Sequence, residues 1–238
     1  MESNIDQNIE RLVKNYRAPA AAVDVVKKMR LALLAGITGA GKDAIKHKLL
    51  ALGGYQNIVT TITRPPRPGE IDGVSYHFIT QTQAIENLKS QKYFEAKIVH
   101  ERVYGTTTAE LEKVAASKNI ALADIDVQGV AEYHSVGAGR LVVVFIVPPD
   151  FATWKARLEG RGDTLGAEEN RRMFSAVHEL EFSLKEHYFH FVINDDLDRV
   201  VGEVDRLCKG EQRSGNEEAR ARKIAADLLA EIKNKLNV

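Results

Sequence analysis

The segment Gly36-Ile-Thr-Gly-Ala-Gly-Lys42 places glycines and one lysine at the spacing G-x-x-x-x-G-K. Glycines let successive backbone N–H groups turn toward one anion, and the lysine adds a positive charge beside them. The apolar run Leu31 to Gly36 precedes this segment, and a helical pattern from Asp43 to Leu52 follows it. Strand, glycine loop and helix in this order predict a phosphate-binding loop. A glycine turn that only caps a helix is the alternative.

Asp43 follows the lysine, where this motif normally has Ser or Thr to place a hydroxyl on Mg²⁺. A carboxylate is a good ligand for a hard cation, so Asp43 is a candidate metal ligand. Its negative charge would also repel the phosphates of a nucleotide. The sequence leaves both outcomes open.

A second group of chemistry-bearing residues runs from Thr60 to Tyr76, where Arg64 and Arg67 flank a pair of prolines. Proline restricts the backbone, which holds the two guanidinium groups at a spacing suited to gripping one phosphate from two sides. The hydroxyl of Tyr76 is a further donor. An exposed polyproline ligand is the rival interpretation, and it explains only the first residues of this segment.

The remaining sequence predicts the elements that position these residues. Three near-continuous apolar runs are typical of strands in a parallel sheet covered on both faces: Ile120 to Asp126, Arg140 to Val147 and His190 to Asn194. A further strand candidate covers Gln56 to Ile62. Aromatic and β-branched residues from Val74 to Ile79 and from Tyr93 to Val103 predict a small mixed sheet, with a helix over Gln83 to Gln91. The glycine-rich residues 160–167 favour a flap.

Composition excludes several classes of protein. The 238 residues carry 33 basic and 33 acidic side chains, so the formal charge is zero and neither nucleic acid nor a membrane surface is an expected partner. The single cysteine, Cys208, cannot form an internal disulfide. No apolar leader is apparent, and the uncharged apolar runs are much shorter than the roughly 20 residues that span a bilayer. A cytoplasmic protein is expected.

Several motifs in one order resemble those of the guanylate kinases, over residues 31 to about 208. They are the glycine loop, T-R-P-P-R-P-G-E-I-D-G-V-S-Y-H-F from Thr63, the segment Glu95 to Thr106, Asp124-Ile-Asp-Val-Gln-Gly129, R-L-E-G-R-G from Arg157, Arg171-Arg172 and Asn194-Asp-Asp-Leu197.

The resemblance implies an α/β fold: a three-layer P-loop kinase with a parallel core sheet, an inserted nucleoside-monophosphate-binding subdomain and a lid. It implies phosphorylation of GMP, and of dGMP, by ATP with Mg²⁺. The expected organisation is an N-terminal helical extension over residues 1–30, a kinase domain over 31–208 and a helical tail over 209–238. Within the kinase domain the core covers 31–59 and 119–208, the insert 60–118 and the lid about 157–172.

Roles follow from the resemblance for individual residues. The residues expected to stabilise the transferred phosphoryl group are Lys42, Arg157, Arg161 and Arg172. Those expected to bind ATP are Gly36, Thr38, Gly39, Ala40, Gly41, Lys42, Asp43 and Asn194. Those expected to hold the GMP phosphate are Arg64, Arg67, Tyr76 and Tyr104, and those expected to contact guanine are Thr60, Glu95, Thr106 and Asp126. A carboxylate such as Glu95 suits guanine, whose N1–H and amino group are donors where adenine N1 is an acceptor.

Several alternatives remain at this stage. Asp43 leaves open a catalytically silent module that binds GMP or a protein partner, and a kinase with another monophosphate preference is also consistent with the motifs. His187 and His190 form the one close histidine pair, which favours packing over a metal site. The apolar stripes of the two chain ends leave a homodimer open.

Overall fold

The computed structural model describes residues 7–99, 101–160 and 167–238, and for residues 167 and 168 it describes the backbone. The chain divides into two compact units. We call them the insert unit (Met1–Arg30, Gln56–Ala121 and Glu132–Arg140) and the core unit (Leu31–Tyr55, Leu122–Ala131 and Leu141–Val238).

Helices and strands alternate along most of the described chain. The helices are α1 (Gln7–Asn15), α2 (Ala20–Lys28), α3 (Lys42–Leu52), α4 (Gln81–Lys89), α5 (Thr108–Ala116), α6 (Val127–Ser135), α7 (Phe151–Glu159), α8 (Ala167–Lys185), α9 (Leu197–Lys209) and α10 (Gly215–Leu236). The strands are β1 (Arg30–Ala35), β2 (Tyr55–Asn57), β3 (Thr61–Ile62), β4 (His77–Phe78), β5 (Tyr93–Val99), β6 (Arg102–Thr107), β7 (Ile120–Asp124), β8 (Arg140–Val147) and β9 (Phe189–Ile193). Among the described helices, none has the length and apolar content to cross a bilayer.

Five strands form the core sheet in the order β2-β7-β1-β8-β9. Strands β8 and β9 run parallel, with Val143 opposite Phe189 and Val147 opposite Ile193. Five of the six residues of β1 are buried, as are the last five residues of β8. Burial on both faces explains why these strands have no polar alternation. The predicted α/β fold with a parallel core sheet is confirmed.

Four strands form the insert sheet in the order β4-β3-β6-β5, so β5 is an edge strand. Strands β3 and β4 are parallel, whereas β6 is antiparallel to both β3 and β5. A register shift interrupts the β5–β6 pairing between Tyr93 and Glu95. This irregularity decides which face of the sheet each following residue of β5 occupies.

The predicted strand over Gln56 to Ile62 is wrong as a single element. Its first part is β2 of the core sheet and its last part is β3 of the insert sheet. Between them, the backbone N–H of Val59 donates to the Glu110 carboxylate at 3.1 Å instead of to a neighbouring strand. The side chains of Ile58 and Val59 stay buried, which explains the continuous apolar pattern.

The N-terminal helices belong to the insert unit. Helix α1 packs on α4 and β5, and Ile9 is fully buried in a cluster with Ala84 and Val103. Just beyond α1, the hydroxyl of Tyr16 donates to the Tyr93 carbonyl at 2.7 Å and accepts the Tyr93 N–H at 2.9 Å. The extension therefore covers part of the outer edge of β5.

Helix α10 covers the outer edge of β9 in the core unit. Its Glu218 carboxylate accepts the N–H of Phe191 at 3.2 Å, and Arg222 donates to the carbonyl of Phe189 at 2.8 Å. Arg213, just before the helix, donates to the carbonyl of Phe191. These side chains satisfy backbone groups that an edge strand otherwise presents to its surroundings.

Candidate active site

Three glycines shape the loop between β1 and α3. Gly36, Gly39 and Gly41 have φ angles of 140°, 85° and 98°, a region that L side chains rarely adopt. A Cβ atom at Gly36 would collide with the carbonyl oxygen of Ile146, and one at Gly41 with the side-chain amide of Asn194. The loop thus needs glycine for both its φ angles and its close contacts. It leads directly into the N-terminus of α3, which favours an anion.

Lys42 is the first residue of α3, and its ammonium lies over its own loop. Its Nζ donates to the carbonyl of Gly36 and, at 3.3 Å, to the carbonyl of Ile37. An ammonium has three donors and can replace carbonyl partners by phosphate oxygens. Asp43 lies in the first turn of α3 and is exposed, so its carboxylate is accessible.

The far side of the loop is held by three side chains of the core unit. Trp154 Nε1 donates to the carbonyl of Thr38 at 2.7 Å, and Asn194 Nδ2 donates to the carbonyl of Ala40 at 2.7 Å. Arg157 donates to the Asn194 carbonyl at 2.9 Å, with a second contact to Ala40 at 3.5 Å. Trp154 was not singled out by sequence analysis, and its position in the apolar stripe of α7 was the only available signal.

Two acids lie at the end of β7, because Asp124 is its last residue and Asp126 lies two residues beyond it. Asp124 forms an ion pair with Lys46 of α3, and 23% of the Asp124 side chain is exposed. Burial alone would raise the pKa of Asp124, but the charges of Lys46 and Lys42 hold that pKa below its usual value. Asp126 accepts the backbone N–H groups of Gln128 and Gly129 at 2.8 and 2.9 Å, so it caps α6.

Glu179 of α8 is a further acid of the core unit that sequence analysis missed. Burial raises the pKa of Glu179, and the positive charge of Lys42 opposes that change. Ser175 donates to its carboxylate at 2.9 Å. An acid inside an amphipathic helix normally lies on a solvated face, so only its spacing from the buried Ala176 and Leu180 could have indicated this position.

In the insert unit, Glu95 and Thr106 form a buried pair across β5 and β6. Their side chains are opposite each other in the register, with exposures of 5% and 1%. The Thr106 hydroxyl donates to the Glu95 carboxylate at 2.7 Å. Tyr133 is fully buried nearby, and burial, together with the charge of Glu95, raises its pKa. A carboxylate buried this deeply needs donors, and a ligand with two adjacent N–H groups can supply them.

Arg64 is held by two kinds of contact. It donates to both carboxylate oxygens of Glu70, at 2.5 and 2.7 Å, and its guanidinium lies 5.4 Å from the ring centroid of Tyr76. The hydrogen bonds from Arg64 lower the pKa of Glu70 from 4.5 to about 2. Tyr76 packs edge-on against Tyr104 with ring centroids 6.2 Å apart. One arginine and two phenols are therefore grouped together.

The structure also shows where the remaining predicted residues lie. Arg67 is exposed, and its backbone N–H donates to Glu70 at 2.7 Å. Thr60 is half-buried, and its carbonyl accepts the N–H of His77. Arg172 lies on α8, half-buried. Arg161 and most of the predicted flap lie outside the described residues.

Comparison with known proteins identifies the family. The family model described as "Guanylate kinase" matches residues 28–211. This chain is 35% identical to a guanylate kinase of Rhodospirillum rubrum over 224 residues, covering 92% of this chain and 97% of that protein. It is 34% identical to a guanylate kinase of Neisseria gonorrhoeae, covering 75% of this chain and 86% of that one. The chain belongs to the guanylate kinase family.

A solved guanylate kinase structure agrees with this fold. The crystal structure of guanylate kinase from Anaplasma phagocytophilum superimposes with a TM-score of 0.60 and 19% identity, covering 87% of this chain and 92% of that one. The resemblance predicted from the motifs is confirmed. Helix α1 and helix α10 lie outside the residues that the guanylate kinase family model matches.

Proposed function

We propose that this protein transfers the γ-phosphoryl group of ATP to GMP, forming ADP and GDP, and that it accepts dGMP. The observation that carries the proposal is the presence, in one guanylate kinase-family chain, of the Gly36–Lys42 loop and the buried Glu95–Thr106 pair. The first suits a nucleotide polyphosphate and the second suits a base with adjacent donors.

The ATP phosphates would bind along the glycine loop. The φ angles of Gly36, Gly39 and Gly41 support this role, since such a backbone can turn several N–H groups toward one anion. Lys42 would exchange its two loop carbonyls for phosphate oxygens. Arg157 and Asn194 support the loop through the Ala40 carbonyl, and we propose that Arg157 also contacts the transferred group, as we propose for Arg161 and Arg172.

The donor chemistry of the core unit fits Mg²⁺. This ion is usually held by one or two carboxylates together with phosphates and waters, so it needs no cluster of three protein ligands. Asp43 is exposed at the first turn of α3 and would hold the ion. When bound with ATP, Mg²⁺ supplies neutralising charge to the outer phosphates.

GMP would bind the insert unit by its base and its phosphate. The Glu95 carboxylate would accept the guanine N1–H and amino group, with Thr106 fixing its orientation. We propose that Thr60 and Asp126 add further base contacts. Arg64, Arg67, Tyr76 and Tyr104 would hold the phosphate, and the grouping of Arg64 with Tyr76 supports this.

The chemical step needs no general base. A GMP phosphate oxygen, already largely ionised, attacks the γ-phosphorus while the bond to the β,γ-bridging oxygen breaks, and ADP leaves with that electron pair. Catalysis then consists of alignment and of charge stabilisation by cations such as Lys42. Because ATP and GMP are intracellular metabolites, we propose a cytoplasmic location.

A coupled assay of ADP formation tests the proposal, using ATP, Mg²⁺ and GMP, dGMP, AMP or UMP in parallel. Turnover with GMP and dGMP, and little with AMP or UMP, is expected. Lys42→Met should remove turnover while GMP binding by calorimetry persists. GMP binding without turnover in the wild type would instead indicate a silent module.

Asp43 is tested in the same assay by comparison with Asp43→Ser. A loss of turnover in the variant, with a higher Mg²⁺ requirement, would support Asp43 as the metal ligand. A gain would mean that the native acid repels the nucleotide and that the hydroxyl is the better ligand.

A further inference from the structure

The hydroxyl of Tyr16 occupies both hydrogen-bonding groups of one residue on the edge strand β5. It donates to the Tyr93 carbonyl at 2.7 Å and accepts the Tyr93 N–H at 2.9 Å. A phenol has one proton to donate, so this pair of contacts fixes the position of the hydroxyl. Tyr16 and Tyr93 are 77 residues apart, and Tyr16 precedes the residues that the family model matches.

Tyr93 is the residue at which the pairing of β5 with β6 shifts. Tyr93 lies opposite Thr107, and Glu95 lies opposite Thr106, so two steps along β5 correspond to one step along β6. Such a bulge moves the following residues to the other face of the sheet. Tyr93 and Ala96 are three residues apart and would lie on opposite faces of a regular strand. Because of the bulge they lie on the same face, where both pack in a cluster with Leu88.

The bulge also explains the position of Glu95. In a regular strand, residues two apart share a face, so Glu95 would lie on the same face as Tyr93. With the shift, Glu95 lies on the face opposite to that of Tyr93, and its carboxylate accepts a hydrogen bond from the Thr106 hydroxyl. Without the shift, Glu95 could not lie opposite Thr106 while Tyr93 stays opposite Thr107, so holding Tyr93 in place is a condition for the position of Glu95.

We propose that Tyr16 is a positioning residue for guanine recognition, because it holds the β5 bulge that presents Glu95 beside Thr106. The inference rests on the proposed function, since it assigns the base to Glu95. The helical extension is then part of the base-binding machinery through a single hydroxyl. The ring of Tyr16 also packs edge-on against Tyr93, with centroids 6.3 Å apart, so ring and hydroxyl must be tested separately.

Tyr16→Phe keeps the ring and removes both hydrogen bonds. We expect KM for GMP to rise about tenfold, with kcat and KM for ATP within about twofold of the wild type. The preference for GMP over IMP, which lacks the amino group, should fall. The matched control is Leu12→Ala on the same extension, because Leu12 packs on the Tyr93 cluster with its side chain alone. It should lower the melting temperature without changing KM for GMP.

A double-mutant cycle decides whether Tyr16 acts through Glu95. In a Glu95→Gln background, Tyr16→Phe should change KM for GMP by less than about twofold. A KM that is unchanged in Tyr16→Phe alone, that rises equally in Leu12→Ala, or that rises by the full factor in the Glu95→Gln background would overturn the inference. All these outcomes differ from failure of the proposed function. If the wild type bound GMP without turnover, the proposed reaction would fail, and the same comparisons, made with the dissociation constant of GMP from calorimetry, would still decide the role of Tyr16. If the wild type did not bind GMP, both proposals would be overturned.

Discussion

The glycine loop of the core unit and the β5–β6 pair of the insert unit are built in different ways. In the loop, the backbone itself forms the site. Three glycines have positive φ angles, and at Gly36 the carbonyl oxygen of Ile146 leaves no room for a Cβ atom. In the strand pair, the binding groups are side chains that already have partners, such as Glu95 with Thr106. Adding a side-chain atom to the loop should therefore impair use of ATP, whereas use of GMP should depend on particular polar groups of the strand pair.

Gly36→Ala gives the largest expected effect, because the new Cβ would meet the backbone carbonyl of Ile146, which cannot move aside. We expect kcat/KM for ATP to fall by about 100-fold or more. Steady-state kinetics and a thermal unfolding curve measure the change. The control is Gly69→Ala in the insert unit, where φ is also positive but the space is open. That variant should lose only about 1 kcal/mol of stability from strain. A similar fall in kcat/KM for ATP in both variants would contradict the idea that the glycine loop is uniquely intolerant of an added Cβ atom.

Glu95→Gln tests the other region by changing polarity without changing shape. The amide replaces one acceptor by a donor, so we expect kcat/KM for GMP to fall about 100-fold while KM for ATP is retained. Glu110→Gln is the control, since Glu110 is a buried carboxylate of the same unit that bonds the backbone of Val59. It should lower stability and spare the preference for GMP over AMP. Equal kinetic effects in both variants would contradict a specific role for Glu95.

Thr106→Val sharpens the comparison within the Glu95 pair. The substitution keeps the volume and removes the donor to Glu95, so we expect KM for GMP to rise about fivefold. Initial-rate kinetics over a range of GMP concentrations measure it. No change would mean that Glu95 needs no support from its cross-strand neighbour.

Glu70→Gln has the smallest expected effect and a defined pH dependence. Arg64 lowers the pKa of Glu70 from 4.5 to about 2 in the folded protein, so the contribution of this ion pair is present above pH 4.5 and is lost as the pH falls toward 2. Because the pair is partly solvated, we expect a difference of about 1 kcal/mol between wild type and variant near pH 7. Denaturant unfolding across this range measures it. A difference that grows on acidification would have the wrong sign.

Local patterns allowed prediction of the loop and the α/β fold, whereas contacts distant in sequence could not be predicted. The loop is encoded by seven consecutive residues, and the core strands by apolar runs. The Gln56–Ile62 run was assigned to one strand because its apolar pattern is continuous. Ile58 and Val59, which connect a strand of one sheet to a strand of the other, are buried like strand residues. The β5 bulge has no local signal, since Phe94 is an ordinary strand residue. Its contact with Tyr16 requires two segments 77 residues apart to be brought together.

Candidate roles of Glu95 and Thr106 came from a family resemblance, and those of Arg64 and Tyr76 came from the proline-rich pattern as well. Both sources suggested which ligand group each residue binds, but neither indicated which residues of the protein already contact it. That Glu70 holds Arg64 depends on a turn within the proline-rich segment, with the Glu70 carboxylate also accepting the Arg67 N–H. The position of Glu179 depends on burial of one particular face of α8, which a charged helix sequence does not indicate.

The contacts of Arg213, Glu218 and Arg222 with β9 have a consequence for solution behaviour. A strand whose outward N–H and C=O groups are already taken cannot add a strand from another molecule. A chain shortened before Arg213 would present the apolar Phe189–Ile193 segment with its hydrogen-bonding row open, which is the geometry that nucleates intermolecular sheets. Helix α10 would then keep the protein soluble by preventing intermolecular strand pairing at β9, independently of any role in nucleotide chemistry.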